Sequence, residues 1–258
     1  MNGGVSHTGT GSVTLNAAGD IQQSAAISTS NGAIALNANG DVQQDAAINA
    51  TKGNIAIKSG GDVHQGAAIA SGSGSVAINA GGDIEQDSTI ATQGRGAISL
   101  VSGGSIDMGN LAKTTSDSGN ISYSAKDRLS VGQIETSASR SGGTVTFIAP
   151  QILDSMPGVG NVKGWVVDVK SPSTSSGLIK DLVGDLGGSA QVNQDDRLIG
   201  GNLTEDTRRA MDNLVHTALQ PRNPASNLLV AGPLNAGDIK PATGFEDDGK
   251  GNLVFEAK

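Results

Sequence analysis

The chain of 258 residues contains no cysteine, one tryptophan, one tyrosine and three phenylalanines. Without cysteine there is no disulfide framework and no thiolate metal site. So few aromatics leave no material for an ordinary globular core of large side chains. Residues 1–149 lack proline: all seven, Pro150, Pro157, Pro172, Pro221, Pro224, Pro233 and Pro241, come later. No run of 18 or more apolar residues occurs, so no transmembrane helix is read from the sequence. The opening stretch MNGGVSH has neither the basic nor the apolar region of a secretory signal. Basic side chains are outnumbered, 17 against 25 acidic, for a net charge of −8. They form no cluster, which argues against a nucleic-acid partner. Charged residues make up only 16% of the chain, too few for disorder driven by self-repulsion.

What the chain does have is glycine, 38 residues of it, and a repeat. Asp20, Asp41, Asp62 and Asp83 follow one another at intervals of 21, without gaps. Four apolar columns keep the same interval: Val13, Ile34, Ile55, Val76; Leu15, Leu36, Ile57, Ile78; Ile21, Val42, Val63, Ile84; and Ile27, Ile48, Ile69, Ile90. A fifth copy runs one residue late through Ile98, Leu100 and Ile106. A looser sixth has Ile121, Tyr123, Leu129 and Ile134, and a seventh begins at Val145 and Phe147. Within a copy, apolar and polar residues alternate over short β-prone segments, with Gly and Asn between them. No segment shows helical spacing.

A short repeat with two or three strands is one coil of a β-solenoid. The expected fold is all-β, a right-handed parallel β-helix with coils of about 21 residues. Stacking at strand spacing, ~4.8 Å, makes seven coils a rod on the order of 30 Å long. The core is expected to consist of Val, Ile and Leu rows with Ala at the corners, in coils too thin for aromatic rings.

Polar residues recur as well. Gln23, Gln44, Gln65 and Gln86 form a column read as structural, with stacked amides bonding along it. Asn16, Asn37 and Asn79 form another, interrupted by Lys58. The row Asp20, Asp41, Asp62, Asp83 has two readings. Stacked carboxylates repel, and a calcium ion would relieve this. Alternatively each Asp, following Gly or Asn-Gly, satisfies turn amides, and this is the preferred reading. His7, His64 and His216 have no evident metal or catalytic partner. His64 stands where sibling coils have Gln22, Gln43 and Glu85, so it is read as exposed. No catalytic site, no cofactor and no resident metal are read from the chain.

The chain divides into solenoid repeats over 1–149, a C-terminal cap or side-packing region over 150–220, and a loop-rich tail over 221–258 with a last strand at Leu253 to Phe255. The second part holds the one expected helix, 203–219. Asn202 and Glu205 supply a capping box and Pro221 the stop. Its apolar stripe includes Met211, Leu214 and Val215. An open solenoid end needs covering, and this helix is the candidate cap.

The repeats GSVTLNAAGDI (11–21) and GAIALNANGDV (32–42) resemble those of filamentous-haemagglutinin-like exoproteins. These are the β-helical adhesins exported by two-partner secretion. The resemblance covers roughly residues 5–148. It implies passage through an outer-membrane transporter, a place outside the cell or on the bacterial surface, and adhesion to a host or bacterial receptor or glycan. That family's N-terminal secretion domain is not recognisable here, so the chain reads as part of a longer exoprotein.

The expected function is therefore a non-enzymatic adhesin or stalk segment. The alternative is a fibre subunit stacking end to end as a homo-oligomer, because the first coil shows no evident cap. A polysaccharide lyase or glycosidase is a third class, since parallel β-helices host such enzymes. Carboxylate pairs such as Asp45 with Asp87 or Asp195 with Asp196 exist. However, the first four coils have neither the long loops that would build a cleft nor aromatic sugar platforms.

Overall fold

The computed structural model describes residues 4–136, 142–156 and 160–171, with backbone strands at 191–194, 246–247 and 253–255. Each coil has three strands. The first coil runs through Val13–Ala17, Ile21–Gln23 and Ile27–Thr29. The second repeats them as Ile34–Ala38, Val42–Gln44 and Ile48–Ala50, and the third as Ile55–Ser59, Val63–Gln65 and Ile69–Ser71. Equivalent strands pair in parallel from coil to coil, which builds three sheets. The first strands of the coils form a long-strand sheet, the second strands a second sheet and the third strands a third. Among the described residues seven complete coils stack in this way, preceded by Val5–His7 on the third sheet.

The apolar columns are the register of these sheets. Val13 pairs with Ile34, Ile34 with Ile55 and Ile55 with Val76. Ile21, Val42, Val63 and Ile84 are partners in the second sheet, and Ile27, Ile48, Ile69 and Ile90 in the third. Most of these side chains are buried completely or nearly so; Ile21, in the first coil, is only partly buried. Alternation over so short a strand points one or two residues inward, and three strands per turn surround them on every side. Ile57, fully enclosed, contributes about 1.5–3 kcal/mol by leaving water.

Later coils grow at their corners. The partner interval rises to 22 between Val76 and Ile98, 23 between Ile98 and Ile121, and 24 between Ile121 and Val145. The first added residue falls in the corner that holds Gly94, whose φ of 62° is the one positive value among the described residues. Glycine adopts that conformation without steric cost.

Three expectations change. The stack does not stop at Pro150. Gln151–Asp154 extends the second sheet, Val162–Lys163 the third, and Val166–Lys170 and Gln191–Gln194 the long-strand sheet. Pro150 sits at a corner between Thr144–Ile148 and Gln151–Asp154. Earlier coils donate an N–H across this corner, Gly104 to the Gly82 carbonyl and Asp127 to the Gly104 carbonyl. The proline ends that row of corner bonds, while the strands on either side still pair. Aromatic rings also fit the core. The inward column Leu15, Leu36, Ile57, Ile78, Leu100 continues into Tyr123 and Phe147, both fully buried, with ring centroids 6.2 Å apart.

Nor is the first coil bare. Leu253–Phe255 pairs in parallel with Val13–Ala17 and covers the N-terminal edge of the long-strand sheet. Glu246–Asp247 adds to it in the one antiparallel pairing among the described residues. The expected helix over 203–219, with Met211, Leu214 and Val215, lies outside the described residues. So does the other carboxylate pair, Asp195 with Asp196.

Candidate functional site

The outer face of the second sheet carries a column of polar and titratable side chains. On each three-residue strand the middle residue points outward, giving the column Gln22, Gln43, His64, Glu85, Asp107. The aspartates Asp41, Asp62 and Asp83 lie at the corner just before these strands. Together with Gln43, His64, Glu85 and Asp107 they line an open groove of about 540 Å³ running across coils two to five.

The aspartate row is used for backbone bonding. The Asp41 N–H donates to Asp20 Oδ1 at 2.8 Å and the Asp62 N–H to Asp41 Oδ1 at 2.8 Å. The Asp83 N–H donates to Asp62 Oδ1 at 2.7 Å and the Ser105 N–H to Asp83 Oδ1 at 2.6 Å. Each carboxylate thus holds an amide of the following coil. Position 61 must be glycine for this, since a Cβ there would lie 2.0 Å from Asp41 Oδ1. Among the described residues the four aspartates do not converge on a common point as three-ligand metal sites do. The Asp62→Ala substitution is expected to lower stability by about 1 kcal/mol in urea unfolding, and Asp62→Asn, which keeps an acceptor oxygen, by less. Equal losses for the two would show that charge, not the accepted bond, matters.

The glutamine column faces the opposite way. Gln23, Gln44, Gln65 and Gln86 are completely buried. Their amides do not bond to one another. The Nε2 groups of Gln23, Gln44 and Gln86 donate to the carbonyls of Ala25, Ala46 and Ser88, two residues onward in the same coil. Gln86 also meets Thr114 and Tyr123. Its Nε2 donates to Thr114 Oγ1 at 2.9 Å, and the Tyr123 hydroxyl donates to its Oε1 at 2.8 Å. Burial pushes the Tyr123 hydroxyl's pKa well above the ordinary tyrosine value, opposed in part by its bond with Thr114.

His64 is not the isolated exposed residue the sequence led us to expect. It is partly buried, and its Nδ1 lies 3.0 Å from Glu85 Oε2 and 3.9 Å from Asp87 Oδ2. One coil earlier, Gln43 Nε2 donates to Asp45 Oδ1 of its own coil at 2.7 Å. In coil three the equivalent of Asp45 is Gly66, so His64 has no carboxylate two residues onward, and its Nδ1 lies against those of the next coil. Gly66 also makes room for the ring, since a Cβ there would lie 3.1 Å from His64 Nε2. The signal was present in the sequence: residues 64 and 85 are 21 apart and must be neighbours if the coils stack. Asp45 and Asp87, paired as a candidate carboxylate dyad, stand instead in separate environments, one with Gln43 and one with His64. Asp107, next in the column, is held by Arg128 Nη2 at 2.7 Å.

Comparison with protein-family models, curated proteins and solved structures gave no match. The fold defines the class: a parallel β-solenoid repeat protein of about seven turns. Among the described residues no helix is long and apolar enough to cross a membrane.

Proposed function

We propose that the chain is a non-catalytic scaffold segment of a bacterial exoprotein, providing reach and an adhesive surface outside the cell. The observation that carries this reading is the unbroken stack. The first four coils repeat at a constant 21 residues and carry no insertion that could wall a substrate cleft. The surface chemistry lies in columns along the rod, as suits contact with an extended partner such as a receptor or glycan. The resemblance of the repeats to filamentous-haemagglutinin-like exoproteins supports secretion through an outer-membrane transporter.

The competing reading, a fibre of end-to-end copies, finds support in the sheet edges. Ile21–Gln23 and Gln151–Asp154 terminate the second sheet with no further strand among the described residues. The long-strand sheet, however, is covered at its N-terminal edge by Leu253–Phe255. Electron microscopy and cell binding separate the two. The adhesin reading expects single short rods that bind cells saturably. Regular filaments from the intact chain, with no cell binding, would replace it with the fibre. Deleting residues 246–258 uncovers the edge at Val13–Ala17 and is expected to promote association.

A further inference from the structure

We propose that His64, Glu85 and Asp87 form a binding site for a divalent ion of the zinc class. Among the described residues this is the one group of three or more His, Asp or Glu whose donor atoms all lie within 4.8 Å of one another. The separations suit one ion. Ligands at about 2.0–2.2 Å from a tetrahedral zinc stand roughly 3.3–3.6 Å apart. The observed 3.0 and 3.9 Å from His64 Nδ1 to the two carboxylate oxygens bracket that value.

The donor set selects the class of metal. An imidazole nitrogen with two carboxylate oxygens suits zinc and its first-row neighbours. Calcium takes six to eight oxygens and magnesium a strict octahedron of them, which a site with a nitrogen donor supplies poorly. The carboxylates are also available: among the described residues neither Glu85 nor Asp87 has a Lys or Arg within ion-pair distance, whereas Asp107 is paired with Arg128. The three side chains are 30%, 62% and 43% exposed, so an ion enters directly from solvent.

The site is built by two departures from the repeat in the same coil. His64 replaces the glutamine of coils one and two, and Gly66 replaces the aspartate of coil two. Together they turn the imidazole toward the fourth coil. The bound ion ties coil three to coil four, and its remaining coordination positions take water from the groove.

The test is calorimetric titration of the intact chain with zinc chloride near neutral pH. One ion per chain is expected. His64→Gln, which installs the residue coil two carries, is expected to weaken binding more than about 100-fold, and Glu85→Gln or Asp87→Asn at least about tenfold. His7→Gln and His216→Gln are expected to leave it unchanged. Zinc is expected to raise the thermal midpoint of the wild-type chain and not that of His64→Gln. The proposal fails if the wild type shows no saturable zinc binding, if His64→Gln binds as the wild type does, or if calcium binds as tightly as zinc.

Discussion

Replacing Gly53 by alanine is expected to remove about 3 kcal/mol or more of stability, from the addition of a single methyl group. Gly53 belongs to a buried column, Gly32, Gly53, Gly74, Gly96, Gly119 and Gly143, at the corner entering the long-strand sheet. A Cβ at 53 would lie 1.8 Å from the Gly32 carbonyl oxygen and 2.4 Å from its carbon. Those are backbone atoms of the coil below, so no rotamer change relieves the overlap. The coils must separate locally, and every bond across that junction lengthens with them. The Gly53 carbonyl is itself engaged, accepting from Ser71 Oγ at 2.9 Å. Gly94→Ala is the control. A Cβ there meets nothing within 4 Å, and only the positive φ opposes it, at a cost of about 1–2 kcal/mol. Urea unfolding followed by far-ultraviolet circular dichroism compares them. If Gly53→Ala unfolds no more easily than Gly94→Ala, close stacking at this corner is not what demands glycine.

Raising the pH above about 10 is expected to destabilise the protein through Tyr123. It is the only tyrosine in the chain, so tyrosinate absorbance reports on this residue alone. Its hydroxyl is completely buried between Thr114 Oγ1 at 2.6 Å and Gln86 Oε1 at 2.8 Å. Burial makes the charged form costly, so the folded state holds the proton at pH values where the unfolded chain releases it. Because the folded-state pKa is raised, the neutral hydroxyl's stabilising contribution is complete below the unfolded value. It is lost as pH rises beyond that value, at about 1.4 kcal/mol per pH unit. Tyrosinate absorbance should therefore appear together with loss of the β-sheet signal. Titration near pH 10 with the circular dichroism spectrum intact would show that the hydroxyl is not sealed in the core.

The first four coils were fully legible in the sequence because a gap-free interval of 21 fixes strand, register and inward face at once. The later coils were legible as copies but not in their extent. Insertions fall at corners, where length does not disturb the stacked strands, and a corner proline such as Pro150 looks like a terminator when it is only a bend. Tyr123 and Phe147 aligned with Leu100 in the repeat, yet their size argued against the inward column that they in fact occupy. The His64 cluster was not legible in the repeat for a different reason. Its residues do not recur at 21: the site brings together unlike residues of consecutive coils. Leu253–Phe255 was recognisable as a strand, but three residues cannot specify which distant edge they join.

The aspartate row also gives the stack a direction. Each carboxylate accepts from an amide one coil later, never one coil earlier. One face of a coil therefore offers an acceptor and the other a donor, and two coils fit together in only one sense. Of two neighbouring coils, the N-terminal one presents the acceptor and the C-terminal one the amide that docks on it. A further coil can therefore dock at the C-terminal face only through its own amide, and at the N-terminal face only through its own carboxylate.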